Sequence, residues 1–323
     1  MLSGCKLSMY REDEIMLILL AGCAQELGPA KDSLDGFVPS PYEYTPAESD
    51  TDSLDLEALA AELEMQLGTL RSYSAGQLID SYEDAIEQSD GYCPNAYEVD
   101  GNAFWYADCS ASSGTSFRGY MFYNQYESMD LFGDGGVWNA TAVAGSADVL
   151  HSDGVRIHWG GNGYHAQGVT ADEADAYYSH VNGSFLDDSA DPDSVLSEGF
   201  SSTFGQYAVT KTVALQDGSH ATWRGYYANG TLETLGEHVS AIQFTDVGIF
   251  DALTGYPCPE EPIGTIGIRS AGGQWMDLVF DVDPNWQLTG ECDGCGRLTH
   301  KGEELGQACL DGSVMLDWEE RPW

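Results

Sequence analysis

Leu56, Leu59, Ala60, Leu63, Leu67 and Leu70 recur three or four positions apart, the spacing that gathers side chains on one face of an α-helix. The pattern predicts a helix over Leu54 to Ser72. Ser74 with Gln77 three residues on is a capping-box pair, and Leu78, Ile79, Tyr82 and Ile86 carry a second apolar stripe to about Gln88. Residues 54–90 therefore read as a helical hairpin, whose stripe covers a sheet or docks a partner helix.

Beyond Asp90 the helical period gives way to short aromatic and β-branched runs. They are punctuated by Asp100-Gly101, Asp134-Gly135, Asp153-Gly154, Asn162-Gly163, Asn182-Gly183, Asp217-Gly218 and Asn229-Gly230, pairs that close tight hairpins because both residues tolerate positive φ. Strands are expected at Ala103 to Ala107, Phe117 to Tyr123, Val137 to Val143, Gly154 to Trp159, Tyr207 to Leu215, Ala221 to Tyr227, Ser240 to Phe244, Gly264 to Arg269 and Trp275 to Phe280. The fold class is mainly β, antiparallel, with an N-terminal two-helix segment. Phe117-Arg118-Gly119-Tyr120 is echoed by Trp223-Arg224-Gly225-Tyr226, which allows two related β halves, 91–190 and 191–323, meeting in the acidic loop Asp187 to Ser194.

Composition narrows the partners. The 323 residues hold 12 Lys and Arg against 53 Asp and Glu, a formal charge of −41, yet 42% of them are hydrophobic and 11% aromatic. Such aromatic content belongs to a folded chain and not to an acidic tail. A surface this negative repels phosphate backbones and anionic headgroups, which excludes nucleic acids and electrostatic attachment to membranes. Neutral carbohydrate, envelope proteins and cations remain, beside the plain reading of a solvated acidic coat.

Ile15 to Leu20 is a short apolar run that ends in Leu20-Ala21-Gly22-Cys23. This tetrapeptide resembles the lipobox of bacterial lipoproteins; the resemblance covers the first 23 residues, and no family is recognised for the body. It implies that residues 1–22 are a signal peptide, that Cys23 is lipidated, and, since Ala24 is not acidic, an outer-membrane location, with secretion as the alternative. The n-region departs from the pattern, because Arg11-Glu12-Asp13-Glu14 puts acid where basic residues are usual. Residues 23–53, with Pro29, Pro39, Pro41 and Pro46, read as a disordered tether whose ~28 flexible residues span roughly 30 Å.

Without the leader and Cys23, six cysteines remain: Cys93, Cys109, Cys258, Cys292, Cys295 and Cys309. In an exported chain an even set reads as three disulfides. Cys93 and Cys109 are close to each other and far from the rest, so they pair. Three pairings remain for the other four, and the favoured one joins Cys295 to Cys309, because Gly296 to Ala308 looks like a hairpin that sets them opposite each other, with Cys258 then taking Cys292. Zinc held by the last four is the rival reading, though only Cys292 and Cys295 have the two-residue spacing of a half-site.

The chain carries no P-loop, Gly-x-Ser-x-Gly, His-Glu-x-x-His or dinucleotide fingerprint. The richest stretch is Arg156 to His165. If Gly160 to Gly163 make a loop, Trp159 faces Tyr164 as a sugar-stacking pair, and His158 faces His165 with Arg156 on the same face, a possible metal or catalytic cluster. Calcium has two candidate sites, Asp130 with Asp134, and Asp187, Asp188, Asp191 and Asp193, though neither follows the EF-hand spacing. No cofactor is required by any of this. The expected function is a cell-envelope lipoprotein acting as a non-enzymatic binding or structural module; the alternative is a secreted hydrolase or metal-dependent enzyme around His158 and His165. Replacing Cys23 with Ser is expected to move the protein from the membrane to the soluble fraction, and unchanged retention after carbonate washing would refute the lipid anchor.

Overall fold

The computed structural model describes residues 55–99, 101–129, 136–170, 173–192, 194–214, 219–233, 235–251, 256–283 and 285–316. The leader, Cys23 and the tether lie outside them. Helix α1 (Leu56–Gly68) begins at Asp55, whose carboxylate accepts the Ala58 N–H, and turns its leucines inward. A 3-10 turn (Leu70–Ser72) leads to α2 (Gln77–Glu87). Ser74 does not cap α2 as its sequence pattern predicts: it is fully buried, its hydroxyl approaches Tyr177, and only its carbonyl accepts the Gln77 N–H.

Thirteen strands follow in one antiparallel sheet whose spatial order is the chain order. They are β1 (Tyr97–Val99), β2 (Asn102–Ser110), β3 (Ser116–Met129), β4 (Val137–Leu150), β5 (Arg156–Val169), β6 (Asp175–Asp187), β7 (Phe200–Ala214), β8 (His220–Glu233), β9 (Val239–Phe250), β10 (Ile263–Ser270), β11 (Trp275–Val279), β12 (Cys295–His300) and β13 (Glu303–Cys309). A one-turn helix α3 (Val195–Glu198) lies between β6 and β7. These two strands pair directly across the acidic loop, so the sheet runs unbroken through the expected boundary. The echoing tetrapeptides sit in opposite phase: Phe117 belongs to the core under the helices, whereas Trp223 packs on the other face.

Alternation along the strands buries one face against the helices. Trp105, Phe117, Val143, Trp159, Tyr177, Phe204, Phe244 and Ile266 meet Leu59, Leu63, Leu78 and Tyr82 there. A smaller cluster, Trp138, Ala166, Tyr178 and Tyr207, lies on the outer face towards one end of the strands. Gln206, fully buried on β7, donates to the carbonyls of Leu70 (3.2 Å) and Tyr73 (3.0 Å) and accepts the Tyr226 hydroxyl (2.8 Å), tying the break between α1 and α2 to the sheet.

Three disulfides close the ends: Cys93–Cys109 joins the segment after α2 to β2, Cys258–Cys292 links two C-terminal loops, and Cys295–Cys309 staples β12 to β13 at directly paired positions. The pairing is the one the sequence favours.

Three of the Asn-Gly pairs correct the expected turns. Asn162-Gly163, Asn182-Gly183 and Asn229-Gly230 lie inside strands of 13 or 14 residues. Gly145, Gly161 and Gly183 are mutual partners and form a row across β4, β5 and β6. A Cβ on Gly161 would stand 2.2 Å from the Asn182 carbonyl oxygen, so here glycine lets neighbouring strands approach closely. At Gly163 the missing Cβ admits Ala75 of the helical segment, and Gly230 (φ +104°) sits at a register shift between β8 and β9. Gly161→Ala should therefore cost about 2 kcal/mol or more and lower the melting temperature by roughly 4–8 °C, whereas Gly68→Ala, whose Cβ would meet nothing within 4 Å, should leave it unchanged or raised.

Candidate functional site

The stretch from Arg156 to His165 is not a hairpin, because all of it belongs to β5. Strand geometry then separates the expected partners. His158 stands on the outer face and His165 on the inner; Trp159 is buried on the inner face, and Tyr164 packs against the outer cluster. No platform forms from Trp159 with Tyr164, and the two histidines share no ligand. Arg156 and His158 do share a face, as their period-two spacing requires.

That outer face carries a groove of about 510 Å³ at the end of β4, β5 and β6, bounded by Gly199 and Glu198. Arg156 and His158 line it. The Arg156 guanidinium pairs with Asp188 at 3.0 Å (Nε–Oδ2). Two further residues, which the sequence reading missed, complete the polar floor. Asp148 is the direct cross-strand partner of His158 and lies 2.8 Å from its Nδ1. Ser184 on β6, opposite Gly160, sets its Oγ 3.3 Å from His158 Nε2. The Asp153-Gly154 turn held the signal for Asp148: folding the chain about it puts Asp148 across from His158.

Next to the groove, on the same face, lie two rows of aromatic side chains. Tyr97, Phe104 and Phe122 are consecutive cross-strand partners, and Tyr106 faces Tyr120 one pleat further along. Tyr97, Phe104, Tyr106 and Tyr120 are 61%, 41%, 69% and 39% exposed. The second row continues through Ser146 and Gly160 to Ser184, so the platform runs into the groove without a step in the sheet.

Asp130, Asp134 and Asp193 lie outside the described residues. Asp187 is fully buried and accepts the N–H and hydroxyl of Ser189, while Asp188 is engaged by Arg156. The Asp191 carbonyl accepts the Ser194 N–H. Among the described residues no three His, Cys, Asp or Glu converge as a metal would need, and no helix is long and apolar enough to cross a membrane.

Fold and site together define a disulfide-stapled, single-sheet meander with a helical cover on one face and an aromatic and polar surface on the other. No protein-family model matches the chain, and no curated protein or solved structure matches it.

Burial leaves two histidines neutral. His165, its ring tilted 60° against Tyr177 with centroids 5.0 Å apart, is lowered to about 4 by burial, with the Arg71 charge adding to it; His180 is lowered to about 4 by burial. Unfolded imidazoles bind protons near 6.5, so between there and about pH 4 the unfolded chain holds more protons and stability falls as pH drops. Asp84 on α2 opposes this, since burial and the facing Asp187 push it up to about 6 and its protonation favours the fold. Asp80, also raised by burial, acts in the same direction as Asp84, and the two histidines outweigh the two carboxyls. The melting temperature is expected to fall by roughly 5 °C or more from pH 7 to pH 4.5, and by less in His165→Asn; equal midpoints at both pH values would refute the buried neutral imidazoles.

Proposed function

We propose that the protein is a lipid-anchored, outer-membrane module that binds neutral carbohydrate on the aromatic face of β1, β2 and β3. The observation that carries this reading is the pair of adjacent rows, Tyr97–Phe104–Phe122 and Tyr106–Tyr120, standing in solvent on a regular sheet. Pleats hold successive rows about 7 Å apart, a spacing on the scale of a sugar ring, and an exposed ring offers a flat apolar face with a polar hydroxyl beside it. Asn102, Asn124 and the Asp108–Arg118 pair border the rings with donors and acceptors. A formal charge of −41 disfavours polyanionic chains and leaves neutral ones. The anchor rests on the Leu20-Ala21-Gly22-Cys23 motif, and the tether gives the face clearance from headgroups.

The mature chain should be retained on an insoluble neutral polysaccharide such as cellulose or chitin. Each ring is worth about 1 kcal/mol, so the double variant Tyr106→Ala, Tyr120→Ala should bind roughly tenfold to thirtyfold more weakly. No retention of the parent protein on either polymer, or equal retention of the variant, would refute the reading.

A further inference from the structure

Three strands deliver Asp148, His158 and Ser184 in line, so that the imidazole touches a carboxylate at one nitrogen and a hydroxyl at the other. With Nδ1–H donated to Asp148, Nε2 carries the lone pair and faces the Ser184 O–H. That order is what turns a serine hydroxyl into a nucleophile. Gly160 makes the approach feasible: a Cβ there would stand 3.0 Å from His158 Nε2 and 3.3 Å from Ser184 Oγ, wedged where the two meet. Ser184 opens into the groove rather than into the core, and Ser201, its direct partner on β7, lines the same groove. The row that holds Ser184 also holds Tyr106 and Tyr120, so a chain lying on the platform extends towards the hydroxyl.

We propose that Ser184 is the nucleophile of an esterase that removes O-acyl groups from the carbohydrate held on the platform, with His158 as general base and Asp148 as the residue positioning it. The choice of carrier rests on the binding reading above; the nucleophile does not. Ser184 Oγ bonds to the ester carbonyl carbon while its proton passes to His158 Nε2 and the carbonyl electron pair moves onto oxygen. The Ser201 hydroxyl is the neighbouring donor for that oxyanion. Collapse breaks the bond to the sugar oxygen, which takes the proton from His158 and leaves as the alcohol. Water then gives a proton to His158, attacks the acyl carbon and releases the carboxylic acid, returning Ser184 and neutral His158. The sum is ester and water to acid and alcohol, with no other reactant.

Asp148 is 70% exposed and His158 44%, so solvent weakens their coupling, and slow turnover is expected. Covalent capture is therefore the sharper test. The full mature chain is incubated with an alkyl fluorophosphonate, which esterifies an activated serine with loss of fluoride, and the adduct is mapped by peptide mass spectrometry. One adduct at Ser184 is expected, absent in Ser184→Ala and at least tenfold slower in His158→Ala. Asp148→Asn should slow it severalfold and Asp148→Glu should restore it, which a merely structural role for Asp148 would not produce. Hydrolysis of p-nitrophenyl acetate should follow the same order, with melting temperatures confirming that each variant folds. No adduct, an adduct on another serine, or labelling indifferent to His158 would overturn the proposal. Ser184→Ala should still be retained on cellulose or chitin; labelling at Ser184 without retention of the parent chain would overturn the platform and leave the nucleophile standing.

Discussion

Gln206 is fully buried, and each amide or hydroxyl group left unpaired at such a site costs on the order of 1–3 kcal/mol. It meets this constraint by binding the carbonyls of Leu70 and Tyr73 while accepting from Tyr226. Those carbonyls lie where α1 has ended and α2 has not begun, in and just after the 3-10 turn. Ser179 acts in the same way, accepting the Ala75 N–H at 3.1 Å. The helical segment is thus fixed over β6, β7 and β8 and cannot slide along the apolar part of its contact with the sheet. Because the helices cover one face only, the polar groove and the aromatic rows of β1, β2 and β3 on the other face stay in water.

The surplus of acids has a structural use beyond solubility. With so few cations to pair with, several carboxylates bind backbone N–H groups of loops instead. Glu62 on α1 receives His238 and Val239, and Glu64 receives Asp311, so the helix is tied to both ends of the C-terminal strands. Asp90 gathers Tyr92, Cys93 and Ser112, and these N–H donors hold it down to about 2. Glu261, wholly buried, accepts from Asp281, Asp293 and Gly294 next to the Cys258–Cys292 bridge. Such contacts are charge-assisted and survive without a partner cation.

Both helices, eleven of the strands counting the β12–β13 hairpin, and the Cys93–Cys109 cystine were legible in the sequence, with the other two pairings favoured among three, because each rests on local period, spacing or turn chemistry. β6 was not, since Asn182-Gly183 reads as a turn when the glycine in fact serves crowding between strands. The same confusion bent Arg156 to His165 into a loop. Arg156 and His158 were recognised by residue type, but Asp148 and Ser184 are reached only through pairing with β4 and β6, and nothing in an isolated aspartate or serine distinguishes it from its many siblings. The exposed tyrosines of β2 and β3 were hidden for a related reason: a period-two pattern with aromatics at every position does not say which face is covered.

The order of the sheet has a consequence for how the protein comes to be folded. Each strand pairs only with its neighbours in the chain, and the cystines span just 16, 34 and 14 residues. Contacts of this kind close small loops, which favours rapid assembly over the slow searching that long-range β pairing demands. A chain that emerges in extended form can therefore zip strand by strand onto what has already emerged, and each thiol meets its own partner before the next pair arrives.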